Sequence, residues 1–88
     1  MDLSFRVVGR VQGVGFREFV RRTATALGVV GWVRNEQDGS VTGLAEGPED
    51  AVRALVAQLG VGPPASRVTR VITDVGAPAA CRGFEIRR

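Results

Sequence analysis

Apolar residues recur along this chain in two rhythms, one of period two and one of three to four. In "SFRVVGR", Ser4 to Arg10, Phe5, Val7 and Gly9 fall on one face and Ser4, Arg6, Val8 and Arg10 on the other, the alternation of a half-buried strand. From Phe16 to Leu27 the apolar positions Phe16, Phe19, Val20, Ala24 and Leu27 are spaced by three and four, which predicts an amphipathic helix with Gly28 as its stop. "VVGWVRNE", Val29 to Glu36, returns to strand character. The Asp38-Gly39 pair marks a tight turn before "SVTGLAEG", so the second and third strands form a hairpin. Pro48, Glu49 and Asp50 open a second helix, since proline suits the first helical position and carboxylates suit the positive end of the helix dipole. Its stripe is Val52, Leu55, Val56 and Leu59, with Gly60 as a stop. "GVGPPAS" reads as a short loop, "RVTRVITDV" as a less cleanly patterned fourth strand, and "GFEIRR" as a short closing strand with Phe84 and Ile86 on one face.

The resulting order, β-α-β-β-α-β with a fifth strand to close, predicts an α+β fold: a ferredoxin-like βαββαβ sandwich, in which an antiparallel-rich sheet carries both helices on one face. A right-handed crossover through the first helix makes strands one and two parallel, so both end at the same edge of the sheet. With strand three inserted between them, those ends lie roughly 10 Å apart. The glycine-rich stretch that precedes Arg17 follows one end, and Asn35 sits at the other. Residues 1–88 are expected to form a single domain, burying roughly 60 to 65% of the surface of the unfolded chain. A core that small leaves little room for a deep internal pocket and places a site on loops at the rim.

Composition narrows the chemistry. The chain is 44% hydrophobic and 24% charged. It has neither a basic, apolar leader nor a run near the ~18 apolar residues of a membrane span, so the expected location is cytoplasmic and no membrane partner is expected. Cys81 is the only cysteine, which rules out an internal disulfide and a multi-cysteine metal site; it reads as an inert small residue near the last strand. A net charge of +3 favours an anionic ligand. All twelve positive charges are arginine, a pattern read as composition bias on the surface. Histidine and tyrosine are absent, so the commonest general base is not available.

Between the first strand and the first helix, the run from Gly9 to Gly15 combines backbone N–H groups with little side-chain bulk, and the helix adds unpaired donors and a partial positive charge. That combination suits an anion. Arg17, in the first helical turn, can offer a bidentate fork to a phosphate or carboxylate. The stretch lacks the spacing and the lysine of a nucleotide P-loop, and an ordinary tight strand-to-helix connection would account for the loop equally well. Asn35 can hold a water through its carbonyl or support an oxyanion through its amide, or it can simply start the turn before Asp38-Gly39. Trp32 reads as a packing residue, Glu18, Arg21 and Arg22 as a solvated helix face, and Arg6 and Arg10 as the outer face of strand one.

Two stretches carry a resemblance to a known family. "VVGRVQGVGFR", Val7 to Arg17, is similar at every defined position to the signature of the acylphosphatase family: aliphatic residue, glycine, Val-Gln-Gly-Val, a variable residue, phenylalanine and arginine. "GWVRNEQDGSV", Gly31 to Val41, resembles a second family pattern, with Gly47 where the family has its next glycine. The tail "GFEIRR" is similar to the family's aromatic-x-isoleucine-arginine ending, although Arg88 stands where an aromatic residue is common. The same two motifs occur in the N-terminal domain of large hydrogenase-maturation carbamoyltransferases; a chain that stops at Arg88 favours the free-standing enzyme.

What the resemblance implies is hydrolysis of an acyl phosphate to a carboxylate and inorganic phosphate, with no metal, no cofactor and no covalent enzyme intermediate. It assigns substrate binding and catalysis to Arg17 and orientation of water to Asn35. The loop formed by Arg10, Val11, Gln12, Gly13, Val14 and Gly15 takes the role of phosphate binding. The expected partner is a small acyl phosphate, and a monomer is the simplest expectation. An RNA- or effector-binding sheet is the competing class, but the basic and aromatic motif of RNA-binding members of this architecture is absent, so no nucleic acid is expected.

Overall fold

The computed structural model describes residues 1–88. In chain order the elements are β1 (Asp2–Arg10), α1 (Phe16–Leu27), β2 (Val30–Asn35), β3 (Val41–Glu46), α2 (Glu49–Leu59), β4 (Arg67–Val75) and β5 (Phe84–Arg87). The strands form one sheet in the order β4-β1-β3-β2-β5. Every neighbouring pair is antiparallel except β2 and β5, which run parallel. With its two helices this is the ferredoxin-like arrangement that the element order predicts. β3 lies between β1 and β2, and Val41 is opposite both Val7 and Asn35.

One face of the sheet meets the helices. Phe5 and Val7 of β1, Val33 of β2 and Val41 and Ala45 of β3 are buried against Phe16, Val20 and Ala24 of α1 and Val52, Leu55 and Leu59 of α2. Burial of each large side chain stabilises the fold by about 1.5–3 kcal/mol relative to leaving it in water. α1 has the bounds that its stripe and Gly28 predict; Gly28 closes it in the left-handed conformation (φ 75°, ψ 21°). Pro48 takes the cap position of α2 rather than its first turn.

The other departures lie at the margins. β1 begins at Asp2, two residues before its clean alternation, and β2 and β3 are trimmed at both ends. β4 is an edge strand with only Val68 and Val71 half-buried, which accounts for its ragged pattern. Trp32 does pack, but on the sheet face away from the helices, with the guanidinium groups of Arg34 and Arg87 5.1 and 5.2 Å from its ring. Cys81 is half-buried, its thiol donating to the Ala79 carbonyl at 3.3 Å. No helix is long and apolar enough to cross a membrane.

Candidate active site

The connection from β1 to α1 is pinned at both ends and bare in the middle. Val11 and Phe16 are only 1% and 2% exposed, so hydrophobic burial fixes where the loop leaves the sheet and where it enters the helix. Between them Gly13 and Gly15 have φ of 74° and 78°. A Cβ at either would meet nothing within 4 Å, so glycine is required by the left-handed backbone, which costs an L-residue about 1–2 kcal/mol, and not by crowding. Gly15 caps α1 without any side-chain hydrogen bond to the helix end. None of the backbone N–H groups from Gln12 to Glu18 donates to another group of the chain. The result is a run of unpartnered donors at the positive end of a helix dipole.

Gln12 ties this loop to the neighbouring hairpin. Its side-chain Nε2 donates to the carbonyls of Glu36 at 2.7 Å and Ser40 at 3.0 Å, the two residues that flank the β2–β3 turn. That turn is held from within. Asp38 accepts hydrogen bonds from the Ser40 backbone N–H at 2.9 Å and the Ser40 hydroxyl at 2.6 Å, and Arg6 of β1 donates to both Asp38 and Ser40. The Ser40 hydrogen bonds hold the Asp38 carboxyl below its ordinary value, and those from Thr42 and then Arg34 do the same for Glu36.

A pocket of about 180 Å³ opens between the loop, the first turn of α1 and the end of β2. Of the residues that the sequence singles out, Val11, Gly13, Gly15, Arg17 and Asn35 line it. Asn35 Oδ1 is buried there with no donor from the chain. The others are placed differently. Arg10 is exposed at the end of β1 opposite Arg67 of β4, Val14 packs against the core, and the Gln12 amide is spent on the hairpin. Three further residues complete the wall, Phe16, Glu18 and Ile86. Glu18 reads from the sequence as part of a solvated helix face. It is indeed paired with Arg21, whose hydrogen bond holds its carboxyl below the usual range, but it also borders the pocket. Ile86 arrives from β5, which no local pattern connects to this site. The pocket holds two carboxylate or amide side chains and no imidazole or thiol, and no group of three or more His, Cys, Asp or Glu side chains is placed to hold a metal ion.

The family model for acylphosphatase matches residues 3–86. The chain belongs to the acylphosphatase family. It is 53% identical over 87 residues to an acylphosphatase of Salinibacter ruber, an alignment spanning 98% of this chain and 92% of that one. The crystal structure of the acylphosphatase from Bacillus subtilis superimposes with a TM-score of 0.94 at 40% identity, covering 99% of this chain and 98% of the other. HypF of T. kodakarensis contains a similar unit, with a TM-score of 0.87 and 32% identity over all of this chain but only 12% of its own. Membership places the chain among hydrolases of acyl phosphates.

Proposed function

We propose that the chain hydrolyses acyl phosphates in this pocket, with the phosphoryl group held by Arg17 and the loop amides and the attacking water held by Asn35. Asn35 supports this most directly. A buried amide oxygen without a donor costs about 1–3 kcal/mol, and here it lies in the same cavity as a guanidinium and a row of free N–H groups. Such an oxygen accepts a hydrogen bond from water and thereby aims the water's lone pair. The N–H dipoles and the Arg17 fork stabilise the charge that grows on the phosphoryl oxygens.

The reaction needs little acid or base assistance. Water forms a bond to phosphorus while the bond from phosphorus to the acyl oxygen breaks, and the leaving group departs as a carboxylate, already a weak base. The proton lost by the water passes to a phosphoryl oxygen, giving inorganic phosphate. A site without histidine can therefore carry the step. The test is turnover of benzoyl phosphate in the presence of EDTA, with Arg17→Lys as the discriminating variant. The unaltered chain is expected to hydrolyse it. The lysine variant keeps the charge but loses the fork, and its kcat/KM is expected to fall about 100-fold with an unchanged far-ultraviolet spectrum. No turnover above background by the unaltered chain refutes the enzyme; near-normal turnover by the variant removes Arg17 from the mechanism.

A further inference from the structure

β5 runs parallel to β2 with Ile86 opposite Val33, so the chain's last strand is carried toward the same sheet edge as Asn35. Period two puts Ile86 on the face of Phe84, but the two differ in cover. Phe84 is 8% exposed in the core, whereas Ile86, which meets the pocket where α1 begins, is 39% exposed. Val11 and Phe16 border the same pocket, yet their side chains are almost wholly committed to the core. Ile86 is thus the apolar side chain of this wall that still has free surface. Once a phosphoryl group occupies the polar side formed by Arg17, Asn35 and the loop, what remains for the rest of the ligand is Ile86 and the Glu18 carboxylate. A bare methyl surface suits an uncharged, apolar group, which gives up no charge hydration on reaching it.

We infer that Ile86 is the acyl-contact residue, giving the enzyme a preference for acyl phosphates whose acyl group is uncharged and apolar. This rests on the hydrolytic function proposed above. The contact acts on the acyl end alone, because the phosphoryl end is held by other residues. A methylene in a closed apolar pocket changes kcat/KM by about 10- to 200-fold; a half-open contact of several carbons falls below that range.

The experiment compares benzoyl phosphate with acetyl phosphate, and measures inhibition by inorganic phosphate, for the unaltered chain, Ile86→Ala and Ile86→Thr. The threonine variant keeps β-branching and so the strand propensity of β5. Expected is a drop of about 3- to 10-fold in kcat/KM for benzoyl phosphate, chiefly through KM, in both variants. Acetyl phosphate is expected to change less than about twofold and the inhibition constant of phosphate not at all. Equal losses on both substrates, no loss on either, or a matching shift in phosphate inhibition overturns the acyl contact while leaving the hydrolysis intact. An unaltered chain that hydrolyses neither substrate overturns both.

Discussion

An amide oxygen shut away from water without a donor works against the fold that contains it, and Asn35 Oδ1 is in that position. Its replacement therefore separates stability from activity. Asn35→Ala removes the unpartnered acceptor and no hydrogen bond, so its Tm is expected to equal or exceed that of the unaltered chain. If the residue aims the water, kcat falls by about 100- to 1,000-fold while KM stays close to its original value, because the phosphate is held elsewhere. Calorimetry and steady-state kinetics on the one variant read both quantities. A lower Tm with unchanged kcat would make Asn35 an ordinary turn residue.

At the scale of elements, the loop and the hairpin meet through one side chain. Gln12→Ala deletes both of its hydrogen bonds to the Glu36 and Ser40 carbonyls and frees the loop from the strand that carries Asn35. A loss of about 10-fold or more in kcat/KM is expected, since small misplacements of reacting groups are costly, together with weaker inhibition by inorganic phosphate. Titration of phosphate against each form checks it. This clamp is not legible in the sequence, where Gln12 reads only as part of a phosphate-binding loop. α1 was legible to the residue because a continuous stripe is bracketed by glycines at both ends. The meeting of Arg17 and Asn35 was legible too, through the handedness of one crossover. β5 is legible as a short closing strand, but its place is not: parallel pairing between Gly31 and Phe84 leaves no local trace, and period two assigns Ile86 a face without saying whether α1 covers it. Glu18 is legible only in part for a similar reason: it lies on the solvated helix face that its pattern predicts, and that face also borders a pocket once a strand end arrives beside it.

Across the whole molecule, carboxylates fasten the hairpin to itself and to β1. Glu36 and Asp38 bind their protons less tightly in the fold than their ordinary values of 4.5 and 3.8 would have it. The unfolded chain takes up protons first on acidification, so the stability these groups contribute is complete above those values and is lost as pH falls through the lower, folded ones. Thermal unfolding followed from neutral pH to below pH 4 is expected to show a falling Tm. In Asp38→Asn the fall should be shallower and the Tm at neutral pH lower. Asp38 is exposed and Glu36 half-buried, so added salt is expected to shrink the effect, chiefly at Asp38.

The interposed β3 has a consequence of its own. It supplies no residue to the pocket, yet Val41 is in register with Val7 on one side and Asn35 on the other, so the gap between Asn35 and the strand that leads into the Arg17 loop is counted in whole strands. Such a gap is digital: exchanging surface side chains leaves it untouched, and a slip of one residue displaces Asn35 by about 3.3 Å and turns it to the opposite face. Drift over the exterior can therefore be extensive while the loop that leads to Arg17 and the strand that carries Asn35 keep their span, because the ruler between them is made of backbone.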